Sequence, residues 1–99
     1  MEPIPFDEGR LVIATAGRDR KRAFVVLSVP EEGFVLMSDG DTRKLDHPKK
    51  KKTKHLRPKP VRMEDLARLR EANRLKDSDI RAFLAAQGLG PEQPLCKED

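Results

Sequence analysis

The stretch from Gly9 to Val29, GRLVIATAGRDRKRAFVVLSV, decides the fold. Two β-branched apolar runs, Leu11-Val12-Ile13 and Val25-Val26-Leu27, flank the connector Gly17-Arg18-Asp19-Arg20-Lys21-Arg22. Runs of this kind form strands, and a short connector that includes glycine reverses the chain between them. The connector carries four basic residues against one acid, so the reversal holds a basic knuckle out into water. Asp19 reads as a turn former, because aspartate readily bonds its own backbone in tight turns. Val12, Ala14 and Ala16 alternate with Leu11, Ile13 and Thr15, so both faces of the first strand are apolar.

Outward from this hairpin, strands are expected at residues 10–16 and 22–29, the second stopped by Pro30, which cannot donate to a ladder. Glu31-Glu32-Gly33 is a turn, and Gly33 to Met37 begins a third strand. Ser38-Asp39-Gly40-Asp41 carries the Asp-Gly hairpin signal, which places a short fourth strand at Thr42 to Leu45. A fifth strand or 3₁₀ turn falls near Lys54 to Arg57. Several short strands joined by turns at roughly ten-residue spacing argue for a small β-barrel, and closure removes exposed edges. The expected core is Leu11, Val12, Ile13, Phe24, Val25, Val26, Leu27, Phe34, Val35, Leu36 and Leu45.

Three pieces of this region also resemble a known family. Gly9-Arg10-Leu11-Val12, Gly17-Arg18-Asp19-Arg20 and Phe24-Val25-Val26 look like a KOW motif, the RNA-binding hairpin of ribosomal proteins and transcription elongation factors. Ser38-Asp39-Gly40, the run Lys49 to Lys52 and Lys54-His55-Leu56 follow in the order seen in bacterial KOW-domain RNA-binding proteins related to the ribosomal protein L14e family. The resemblance covers roughly residues 5 to 57. It implies a small SH3-like β-barrel of KOW type with RNA contact at the hairpin tip. The fold class expected for the whole chain is mainly β, that barrel with a C-terminal helical hairpin extension, the latter read from apolar spacing further along the chain. One position departs from the pattern: Lys21 stands where KOW motifs often place a second glycine. If the backbone takes a positive φ there, the lysine costs on the order of 1 kcal/mol.

Composition bounds the rest. Of 99 residues, 38% are charged and 36% hydrophobic, which leaves too little apolar material for a large core. No apolar run approaches the ~20 residues of a membrane helix, and the start Met1-Glu2-Pro3 is no signal peptide. A single cysteine, Cys96, excludes an intrachain disulfide framework and fits a reducing cytoplasm. Charge is unevenly spread. Residues 43–62 hold ten Lys/Arg and one Asp, a net of +9, in a chain whose formal net charge is +4. Such a segment is either a polyanion-binding strip or a solvated linker, and the basic knuckle beside it favours the strip.

After Pro58-Lys59-Pro60 the pattern becomes helical. Met63 to Leu75 carries Leu66, Leu69 and Ala72 at helical spacing, with Glu64 and Asp65 at the end where the dipole favours acids. Ser78 reads as the N-cap of a second helix bearing Ile80, Phe83 and Leu84, stopped by Gly88 and Gly90. Helices this short do not persist alone, so they pack on each other, on the barrel or on a partner. The organisation is therefore a barrel with its basic C-terminal segment over 5–57, a linker over 58–62, a helical hairpin over 63–90 and a disordered tail over 91–99.

The candidate RNA-binding residues are Arg18, Arg20, Lys21 and Arg22 in the knuckle, then Lys49, Lys50, Lys51, Lys52, Lys54, His55 and Arg57. Arginine binds phosphate bidentately and stacks on bases, whereas lysines of this kind read charge and not sequence. The alternatives are a solvated turn and a solvated run, with the basic patch favouring RNA contact over both, and His55 reads equally as a base-stacking or a half-buried structural histidine. Phe24 and Phe34 are assigned to the core and Phe83 to the helical hairpin, so phosphate contact and RNA shape dominate over base stacking.

No catalytic or cofactor site emerges. His47 and His55 lie eight residues apart with no cysteine or carboxylate at metal-ligand spacing. Walker-type loops and nucleophile triads are missing, and Cys96 sits beside acids that disfavour a thiolate. The expectation is a non-catalytic RNA-binding protein of the cytoplasm, with ribosomal RNA or the ribosome as partner and no membrane. The alternatives are a transcription-associated KOW module, or an interaction adaptor that engages a protein partner through its C-terminal helices.

Overall fold

Both faces of the Gly9–Val29 hairpin are apolar, and the fold uses both. In the computed structural model, which describes residues 4–17 and 20–88, five strands form one antiparallel sheet. They are β1 (Arg10–Ala14), β2 (Ala23–Glu31), β3 (Phe34–Ser38), β4 (Lys49–Lys52) and β5 (Leu56–Arg62). The sheet order is β4-β3-β2-β1-β5. A 3₁₀ turn at Thr53–His55 joins β4 to β5, and two helices follow, α1 (Leu66–Glu71) and α2 (Asp77–Ala86).

Side chains alternate across a strand, so the β1–β2 register sorts the two cores. Val12 lies opposite Phe24, and with Ala14, Val26, Val35, Met37 and Leu56 they form the inner core, against which Phe6 packs. Leu11 lies opposite Val25, and with Ala23 and Leu27 they form the outer face. Met63, Leu66, Ile80 and Leu84 cover that face from the helical segment. The helices therefore pack on the sheet. Their apolar stripes are spent there, and Leu66, Ile80 and Leu84 are fully buried.

The expected core is largely recovered, with additions. Leu11, Val12, Phe24, Val25, Val26, Leu27 and Val35 are buried, whereas Ile13, Phe34, Leu36 and Leu45 are only half-buried. Met37 and Leu56 are buried in addition.

The sheet is not closed. β4 and β5 each bond to one neighbour, β3 and β1 respectively, and no ladder joins them. Their edges are guarded instead. β5 carries Pro58 and Pro60, which lack the N–H a further strand would need, and β4 is entirely lysine. The stretch 58–62, expected as a linker, forms the latter part of β5. Likewise β2 runs on past Pro30 to Glu31, because Pro30 lies where the pairing with β3 is irregular and no donor is required.

The strand expected at Thr42 to Leu45 is a loop, because side chains capture its backbone groups. Asp39 accepts from the N–H groups of Asp41 at 2.9 Å and Arg43 at 2.8 Å, and the Ser38 hydroxyl donates to the Arg43 carbonyl at 2.6 Å. Leu45 donates its N–H to the Asp77 carboxylate at 2.8 Å, and Arg81 donates to the Gly40 carbonyl at 2.6 Å. Gly40 has φ +73°, and a Cβ there would run into the Asp77 carbonyl oxygen. With its donors taken locally, this segment cannot serve a ladder. The strand forms further on, at Lys49–Lys52.

The helices are shorter than the pattern suggested. Asn73, at φ +58°, ends α1, and Arg74 donates back to the Leu69 carbonyl at 2.8 Å while Asn73 donates to Arg70 at 3.0 Å. The N-cap of α2 is Lys76 and not Ser78, and the Asp79 carboxylate accepts the Lys76 N–H at 2.9 Å. Gly88, at φ +76°, follows the helix. Gly90 and the tail 91–99 with Cys96 lie outside the described residues. Among the described residues no helix is long and apolar enough to cross a membrane.

Candidate nucleic-acid interface

The reversal between β1 and β2 is tight at its base. Lys21 donates to the Ala14 carbonyl at 2.7 Å, Ala14 donates to the Arg22 carbonyl at 3.0 Å, and Arg20 to the Gly17 carbonyl at 3.2 Å. Lys21 has φ +73°, the left-handed conformation that glycine would adopt freely. Arg20 and Lys21 are exposed. Arg18 and Asp19 lie outside the described residues. Arg22 is half-buried and donates to the Asp39 carboxylate at 3.3 Å, so its charge holds the turn base against the β3–β4 loop.

The lysine run does not present a single surface. It is a strand, paired Phe34↔Lys52, Val35↔Lys51, Leu36↔Lys50 and Met37↔Lys49. Lys49 and Lys51 therefore share the inner side with Met37 and Val35, and both are half-buried. Lys50 and Lys52 share the outer side with Leu36 and Phe34, and both are exposed.

Lys51 reaches back to the hairpin. Its Nζ donates to the Ala16 carbonyl oxygen at 3.3 Å, two residues past β1, where the reversal begins. The same end gathers the 3₁₀ turn, since Thr15 donates to the His55 carbonyl at 2.9 Å. Lys51, exposed Lys54 and half-buried His55 thus join Arg20 and Lys21 at one end of the sheet. Lys50 is engaged elsewhere: its ammonium lies 2.6 Å from Glu31 and 4.9 Å from the centroid of the Phe34 ring. Arg57 stands on β5 opposite Ile13, exposed on the far edge.

Two residues here were not assigned this role from the sequence. Asp39 is almost fully buried and organises the loop beside Arg22; the Asp-Gly signal pointed to a turn but not to its ion pair. Phe34, assigned to the core, belongs to neither core cluster. Its neighbours Lys50 and Lys52 lay in the lysine run, and only the register brings them beside it. Compared with models of known protein families and with curated protein sequences, the chain matches none.

Proposed function

We propose that this chain is a non-catalytic RNA-binding protein of the bacterial cytoplasm that engages structured RNA, ribosomal RNA or the ribosome, through the β1–β2 reversal and the adjoining lysine strand. The observation that carries the reading is the Lys51 contact to Ala16, which joins two basic segments far apart in sequence at one end of the sheet. Clustered cations held by a rigid scaffold suit a phosphate backbone, and their number sets the salt dependence. We also read the sheet as an SH3-like fold of KOW type. Short strands in series, a 3₁₀ turn at Thr53–His55 and a β5 that returns beside β1 support this.

The adaptor reading has less to recommend it. Its contact surface was the apolar stripe of the helices, and Leu66, Ile80 and Leu84 already cover the sheet. Filter binding of ribosomal RNA across a salt series tests the proposal. Arg20→Glu with Lys21→Glu should weaken binding and flatten its salt dependence, while Leu69→Asp should act only through stability. The reverse pattern would favour the adaptor.

A further inference from the structure

Phe34 is a half-buried aromatic that the fold does not use as core. It stands near the start of β3 on the outer side, outside both hydrophobic clusters. The helices cover that side over β1 and β2, where Leu11, Ala23, Val25 and Leu27 meet Leu66, Ile80 and Leu84. Its β4 side is cationic, with Lys52 as cross-strand partner and the Lys50 ammonium 4.9 Å from its centroid, and its β2 partner is Glu31, whose charge Lys50 offsets. Leu36, two residues along the same side, lines an open groove of about 380 Å³ with Leu45 and Leu75.

Resting on the RNA-binding reading above, we infer that Phe34, Lys50 and Lys52 form a second contact site, which takes an unpaired nucleotide of single-stranded RNA. The base stacks on the Phe34 ring and the flanking phosphates meet Lys50 and Lys52. An aromatic face set among lysines is the combination single-strand binders use, because every base has a π-face and every linkage a charge. A strand supplies it economically, since alternation places Lys50 and Lys52 on the side of the ring. Stacking requires Lys50 to swing off the ring and leave Glu31. Both contacts are solvent-exposed and weak compared with a stacked base, and a phosphate replaces Glu31 as the partner. Alternation turns Lys50 and Lys52 to the side opposite Lys51, which reaches the β1–β2 reversal, so folded RNA held at the reversal through Lys51 leaves the Phe34 side free.

The chain contains no tryptophan, so Phe34→Trp installs a lone reporter. The full-length protein is titrated with a short single-stranded oligoribonucleotide and, separately, with a duplex of the same length. Phe34→Leu should lower single-strand affinity about 5- to 100-fold, leave duplex affinity within twofold, and keep the salt slope unchanged. Phe34→Trp should retain single-strand binding, with its fluorescence quenched by the oligonucleotide. Lys52→Gln should reduce the single-strand salt slope by about 1. Circular dichroism confirms that each variant is folded. Duplex binding without single-strand binding, or an unquenched indole, overturns this site and leaves the wider proposal standing. Equal losses of both ligands in Phe34→Leu would overturn it too. If the wild-type chain binds neither RNA, both readings fall.

Discussion

The Arg22 guanidinium donates to the Asp39 carboxylate at 3.3 Å, an ion pair with Asp39 almost fully buried and Arg22 partly open to water. It ties the base of the basic reversal to the loop after β3. That loop is in turn bonded to α2 through Arg81 and Asp77. Hairpin, loop and helix are thus one braced unit, and a rigid support keeps cations positioned for a polyanion without an ordering cost at binding.

Removing the hub of this brace should be costly. Asp39 also accepts from the Asp41 and Arg43 N–H groups and from the Thr42 hydroxyl at 2.9 Å. Asp39→Ala is expected to destabilise the protein by about 2–3 kcal/mol, because donors are left without their charged acceptor. For a chain of this size that lowers the thermal midpoint by roughly 10–20 °C. Asp39→Asn keeps an acceptor and should lose about 1 kcal/mol. Thermal unfolding followed by circular dichroism checks both.

Lys21 should show stability and binding pulling apart. Its positive φ strains a side-chain-bearing residue, whereas glycine adopts it freely. Glycine's greater freedom in the unfolded chain offsets part of the gain. Lys21→Gly is therefore expected to stabilise by about 0.5 kcal/mol in urea unfolding while weakening RNA binding through the lost charge. A variant that binds RNA as the wild type does would remove Lys21 from the interface.

The helices should unfold with the sheet. Ile80 is fully buried in the outer core, so Ile80→Ala should cost about 2–5 kcal/mol. Urea unfolding of the wild type and of the variant should each give one transition by every probe. A separate early transition for the helices would show them to be a detachable module.

Gly40 offers a sharper test of the docking between loop and helix. A Cβ there meets Asp77 backbone and not a flexible side-chain tip, and the left-handed conformation adds about 1–2 kcal/mol. Gly40→Ala should destabilise by at least that much. It should also expose the Leu45 amide, now bonded to Asp77, to faster hydrogen exchange.

The hairpin was legible because its signals are local: two β-branched runs, a glycine and a cationic connector suffice. Both faces of its first strand read as apolar, but that pattern leaves open where the helices pack, and Leu66, Ile80 and Leu84 cover one side of the sheet. Residues 42–52 were misread for a non-local reason. Thr42 to Leu45 has better strand composition than four lysines, but Asp39 and Asp77 capture its backbone while β3 leaves an edge that Lys49–Lys52 fills. The prolines after Arg57 suggested a linker, yet an edge strand tolerates them. As for the site, a run of lysines says nothing about face. Only the register with β3 sends Lys51 to the hairpin and places Lys50 and Lys52 beside Phe34.

The most direct test is the salt dependence of binding between the full chain and folded ribosomal RNA. With about five phosphates neutralised, log K should fall against log salt with a slope of about −3.5 to −4.5. Arg20→Glu combined with Lys51→Gln should flatten that slope by at least about 1. No binding in dilute buffer, or a slope near zero that the double variant leaves unchanged, would contradict the account.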